Sequence, residues 1–196
     1  MIPLHLQCVI DPNVRIIGGS VNSDLAEQFL LAQRRELERN ELLIEDFGPF
    51  RPERTDGEKW TQTRYIIRRA STSQSPTNRA VGSEKPVQGG RADWAFGDDL
   101  ADLDNSRTQS GRDKLEQWTD GDLIGTLEPV SGHAILVGTA KNHDDLLYRK
   151  ERLAKIPDSG WFFKRYDSII DEEKKISLWP ARWSYAALMQ RKAEVG

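Results

Sequence analysis

Asp98 and Asp99 stand side by side at the end of a short apolar run, Ala92, Trp94, Ala95 and Phe96, within the stretch Gly89 to Asp104. Such a run reads as a buried strand that delivers two carboxylates at its carboxyl end, the rim at which open α/β sheets keep their ligands. There one acid can hold Mg²⁺ through the ion's water shell while its neighbour orients an attacking water, a chemistry that suits nucleotide hydrolysis. An apolar run followed by Asp-Asp also arises where a core strand simply exits into an acidic loop. A second run, Ala134-Ile135-Leu136-Val137, favours the first reading. It ends in Gly138-Thr139, with Asn142, Asp144, Asp145 and Leu146 beyond, so two strands bring polar groups to one rim.

The elements that must position these groups come from a chain of ordinary bulk. Its 196 residues suffice for one domain with a sizeable core, and 37% hydrophobic with 30% charged residues is a globular balance. A formal net charge of -3, from 28 basic and 31 acidic residues, gives no overall electrostatic footprint for nucleic acid, so any DNA contact has to be a local patch. The single cysteine, Cys8, excludes an internal disulfide, and among Leu4, Leu6, Val9 and Ile10 it reads as core filler rather than a nucleophile. With no signal-like segment and no long apolar run, a cytoplasmic location without membrane is expected.

Ile2 to Ile10 reads as the end of a helix, broken by Asp11-Pro12-Asn13 ahead of a strand at Val14–Gly18. Gly18-Gly19-Ser20 lacks the Gly-Lys-Ser/Thr ending of a phosphate loop and reads as a strand-to-helix turn. Asn22 or Ser23 can cap a helix with Leu25, Ala26, Phe29, Leu30 and Leu37 as its apolar stripe. Further strands are expected at Tyr65–Arg69, Ala92–Phe96, Ala134–Gly138 and Trp161–Tyr166, with Ser71 to Arg79 as a loop or hairpin tip. Helical patterns cover Arg107 to Leu127 and the segment from Asn142 to Lys155, where Asp144 and Asp145 suit a helix N-terminus, and Ser184 caps a closing helix. The sum is an α/β fold with a mainly parallel sheet flanked by helices.

Five blocks carry a likeness: Val87-Gln88-Gly89-Gly90-Arg91-Ala92-Asp93; Asp98-Asp99-Leu100; the spacing of Asn105, Arg112 and Trp118; Leu136-Val137-Gly138-Thr139 with Asp144-Asp145-Leu146; and Leu178-Trp179-Pro180-Ala181-Arg182-Trp183. In their order and spacing they resemble the ATPase part of tailed-phage terminase large subunits, and the likeness is collinear over nearly the whole chain. It implies an incomplete P-loop NTPase fold of the additional-strand class in residues 1–167, with 168–196 a linker leading towards a nuclease domain that the chain lacks. It implies that Asp98 is the Mg²⁺-associated Walker B acid and Asp99 the catalytic carboxylate, where many relatives of the wider class have Glu. Gly138 and Thr139 would be the coupling motif that senses the γ-phosphate. Arg91 matches the family arginine ahead of the Walker B strand, serving the nucleotide site or the structure. ATP, Mg²⁺, double-stranded viral DNA, a portal protein and a terminase small subunit follow as cofactors and partners, in the cytoplasm of an infected or lysogenic bacterium.

One departure governs all of this: Walker A is missing, and the chain reads as beginning within the helix that follows it. An upstream chain carrying that loop is therefore an expected partner, and the isolated chain is expected to hydrolyse ATP negligibly. The chain is then one piece of a split packaging ATPase, an inactive prophage remnant, or a non-catalytic α/β binding module. In the additional-strand class the phosphate-loop strand lies between the coupling-motif strand and the one after it. An exposed gap is thus expected between Ala134–Gly138 and Trp161–Tyr166.

Overall fold

The computed structural model describes residues 2–52, 60–70, 73 and 75–195. The chain divides into two compact units, Met1–Arg149 and Lys150–Gly196.

In the first unit β1 (Ile16–Ser20), β2 (Arg64–Tyr65), β3 (Asn78–Gly82), β4 (Trp94–Asp98) and β5 (His133–Val137) form one sheet, ordered β2-β3-β1-β4-β5. β3, β1, β4 and β5 run parallel, and β2 alone is antiparallel, to β3. The mainly parallel α/β sheet read from the sequence is present. Parallel strands bury both faces, and β1 shows why its residues suit that place. Ile17 joins Ala95, Leu115, Trp118 and Leu123 on one face, while Ile16 meets Leu6 and Val14 on the other.

Helices supply the covers. α1 (Ile2–His5) continues as a π-helical turn through Ile10, and α2 (Ser23–Arg39) starts where the Asn22 side chain accepts the Leu25 N–H at 3.0 Å. Leu30 and Leu37 of α2 pack with Phe50, Tyr65 and Ile67, and α3 (Glu41–Phe47) follows. The other face is closed by α4 (Leu103–Arg107), α5 (Gln109–Gln117) and the π-helical turn Trp118–Leu123. The single helix expected over Arg107 to Leu127 is interrupted because Thr108 adopts an extended backbone, its hydroxyl capping α5 through the Gly111 N–H. α6 (Leu146–Ala154) carries the chain across the division. The second unit then holds the antiparallel pair β6 (Ile169–Asp171) and β7 (Ile176–Ser177) and ends in α7 (Tyr185–Val195), capped by the Ser184 hydroxyl.

Three expectations are corrected. Tyr65–Arg69 is not a parallel strand: the ladder stops after Tyr65, because the Ile67 N–H turns to the Thr77 hydroxyl and the Arg68 N–H to the Phe50 carbonyl. Asn78 and Arg79 belong to an interior strand rather than to a loop tip, while Ser71, Thr72 and Gln74 of that stretch lie outside the described residues. Trp161–Tyr166 is not a strand at all, so the second flank of the expected gap does not exist. β5 is instead the edge of the sheet among the described residues. Smaller shifts are that Gly18, Gly19 and Ser20 complete β1 rather than turning, and that β4 and β5 start two residues later and one residue earlier than read.

Candidate functional site

The carboxyl rim of β4 and β5 gathers the predicted groups. Asp98 ends β4, and the Asp99 N–H donates to the Val137 carbonyl at 3.0 Å, so the ladder runs on into the turn. Asp99 itself has φ +43°, the left-handed region that Asp tolerates better than most residues. This reversal carries its carboxylate over the end of β5, where Oδ1 accepts the Thr139 N–H at 3.4 Å. Gly138 makes the approach possible: a Cβ there would sit 3.1 Å from Asp99 Oδ1. Asp99, Gly138 and Thr139 line one cleft with Leu100, Leu136 and Leu147, and its volume of about 10 Å³ leaves no room for a nucleotide inside. Any ligand of these groups has to lie on their solvent side.

Asp98 faces elsewhere. It lines a groove of about 350 Å³ with Gly18, Phe29, Phe96, Ile135 and Val137, on the face shared with α2. Asp99 lies beyond the end of β4 in a left-handed turn, and that reversal sends the two adjacent acids to different surfaces. Burial, and then the neighbouring charge of Asp99, hold the Asp98 carboxyl above the ordinary carboxylate range.

Both ends of β4 are tied to β1. At the carboxyl end the Ser20 hydroxyl, almost wholly buried, donates to the Asp98 carbonyl at 2.9 Å. At the amino end Arg15 donates through its backbone N–H (2.8 Å) and its side chain (2.5 Å and 3.0 Å) to the Asp93 carboxylate, and at 2.8 Å to Glu128. Burial alone would raise Asp93, but the Arg15 hydrogen bonds outweigh it and hold that carboxyl below its usual range. Ser20 is the positioning group that the sequence reading missed; only its place two strand residues beyond Gly18 marked it.

The remaining predicted residues fall into structural roles. Arg91 precedes β4 at the opposite, amino rim, where it donates to the Leu127 carbonyl at 3.4 Å. Asp145 is wholly buried and accepts from the N–H groups of Lys141, Asn142 and Tyr148, capping α6. Asp144 is bound by Arg149 at 2.7 Å, and Arg149 also reaches Glu116 and Asp113. These contacts agree with their reading as helix-terminal charge.

Among the described residues no group of three or more His, Cys, Asp or Glu side chains could hold a metal ion by itself. Asp99 and Thr139 share one cleft while Asp98 lines a different groove, so the three do not form a single ion pocket. Nor do these residues by themselves cradle the phosphates of ATP, since the sequence has no Gly-Lys-Ser/Thr loop. Among the described residues no helix is long and apolar enough to cross a membrane. The chain matches no protein-family model, and no curated protein matches it.

Proposed function

We propose that the chain is the Walker B and coupling portion of a DNA-packaging ATPase of the terminase large subunit type, a P-loop NTPase whose phosphate loop comes from another polypeptide. The observation that carries this reading is the meeting of the Asp99 carboxylate with the Thr139 N–H, roughly 40 residues apart in sequence, at 3.4 Å just past the ends of the neighbouring parallel strands β4 and β5. In this assignment Asp99 would orient the attacking water, Gly138 and Thr139 would report the state of the γ-phosphate, and Asp98, which lines a separate groove, would reach Mg²⁺ only through the ion's water shell. The position of β5 at the sheet edge among the described residues supports the same reading, since it offers the added phosphate-loop strand a place. The wider setting is packaging of double-stranded viral DNA with a portal protein and a small subunit, in the host cytoplasm. No hydrolytic step is assigned to the chain alone, because nothing in its sequence supplies the phosphate cradle.

The test is ATP and Mg²⁺ binding by calorimetry, with and without a second polypeptide that carries a strand, a Walker A loop and a helix. Binding and turnover are expected only for the mixture, with turnover lost in Asp99→Asn. Turnover by the isolated chain, abolished by Asp99→Asn, would overturn the supply of the loop in trans. A mixture that binds nothing would remove the nucleotide reading and leave a non-catalytic α/β module.

A further inference from the structure

The second unit displays aromatic rings beside cations. Phe162 is 87% exposed, Tyr166 71%, Trp179 57% and Trp183 44%. Rings left this open on so small a unit mark a contact surface. The Arg182 guanidinium lies 5.4 Å from the centroid of the Trp179 ring, and the Lys164 ammonium lies 5.7 Å from that of Tyr166. Trp179 and Trp183 line a groove of about 760 Å³ together with Leu178, Leu188, Arg191 and Glu194. Arg191 meets Glu194 at 3.2 Å, but both are largely exposed, and such a bridge yields readily to a competing anion. Charge is also divided along the chain: residues 150–196 carry ten basic and seven acidic side chains, whereas 1–149 carry 18 and 24.

We propose that this surface binds single-stranded nucleic acid, with unpaired bases stacked on the indoles of Trp179 and Trp183 and phosphates neutralised by Arg182 and Arg191. Stacking platforms interleaved with cations are what a flexible polyanion with π faces requires. A protein partner fits less well, because the buried centre of a protein interface sheds charge, and here cations lie against two of the exposed rings. Of the acids, Asp171 is engaged by Lys174 at 3.3 Å at the β6–β7 turn, and Glu194 lines the groove beside Arg191. This inference is independent of the nucleotide site, since it uses none of Asp98, Asp99 or Thr139.

Fluorescence anisotropy of a labelled oligothymidylate with the full chain tests it. Binding is expected at low salt and should weaken as salt rises. Trp179→Ala should lower affinity about ten-fold while Trp179→Phe retains most of it. Arg182→Gln should flatten the salt dependence. Far-UV circular dichroism checks each variant, and quenching of the native tryptophan emission by the same oligonucleotide gives a second reading without any substitution. Absence of binding at low salt overturns the proposal. So does binding that dextran sulfate matches and both tryptophan substitutions leave unchanged, or a duplex bound as tightly without dependence on the indoles.

Discussion

β1 and β5 are both five-residue parallel strands laid against β4, yet they live in opposite circumstances. β1 has a strand on either side and a sealed face. At Gly19 an added Cβ would lie 3.2 Å from the Trp118 ring and 3.3 Å from Leu123, so the sheet meets its cover there without slack. Among the described residues β5 pairs with β4 alone, and both its end residues, His133 and Val137, are exposed. The site is therefore built from unequal halves. Asp98 and Asp99 are held from within the sheet through Ser20 and the ladder, while Gly138 and Thr139 hang from a single row of hydrogen bonds.

The largest expected effect sets these two strands against each other. Ile17 is fully buried in the main core, so Ile17→Ala should cost about 2–5 kcal/mol. Ile135 is only half-buried, and Ile135→Ala should cost about 1 kcal/mol, in line with the smaller area it removes from water. Urea unfolding followed by circular dichroism measures both. Equal losses would mean that β5 is covered in solution, and the contrast drawn here would fail.

How much of this was legible in the sequence follows from the same contrast. The strands that carry the site were found because Ala95, Ile135 and their neighbours form short apolar runs that stop at polar residues. β3 was not found, since Asn78-Arg79-Ala80-Val81 is neither apolar nor alternating; its place is fixed by tertiary partners such as the Asn78 amide donating to Gln33 at 2.8 Å. Tyr65 and Ile67 are buried as their alternation implies, but burial without a ladder partner does not make a strand, and the backbone beyond Tyr65 finds Thr77 and Phe50 instead. Trp161–Tyr166 is the plainer failure: an aromatic run has the composition of a strand, yet no ladder forms there. The convergence of Asp99 and Thr139 was readable from strand ends alone. That Asp98 addresses a different face from Asp99 was not readable, because it depends on the left-handed turn at Asp99 beyond the end of β4.

Hydrogen exchange sharpens the comparison by the next largest effect. The His133 N–H donates to Asp93, and the Val137 carbonyl accepts from Asp99, so the odd-numbered residues of β5 direct their backbone groups towards β4. Peptide groups alternate along a parallel strand, which leaves the N–H groups of Ala134 and Leu136 pointing away. These two amides should exchange about ten-fold or more faster than those of Ile135 and Val137, about 1.4 kcal/mol of local protection. A strand docked on this edge should remove the difference. Uniform protection in the isolated chain would show that something already covers β5.

The smallest expected effect concerns the acids at the two ends of β4, and its sign is the test. Asp98 titrates above its ordinary range through burial and the charge of Asp99, and the structure holds it by its carbonyl rather than its carboxylate. A carboxyl raised in the folded state binds more protons there than in the unfolded chain. Its charged form therefore costs stability at neutral pH, and that cost fades as pH falls through the carboxylate range. Asp98→Asn should accordingly raise the melting temperature at neutral pH, with the gain shrinking on acidification. Asp93 is the reverse case: Arg15 lowers it against the opposing effect of burial, so it contributes stability above its unfolded pKa that is lost as pH falls through the folded one. Asp93→Asn should lower the melting temperature at neutral pH and matter progressively less in acid. Thermal melts of the two variants across pH separate an amino rim built for stability from a carboxyl rim that carries an uncompensated charge. If Asp98→Asn is destabilising at neutral pH, that carboxylate has a stabilising partner of its own, and its assignment as an acid kept open for a cation loses its physical basis.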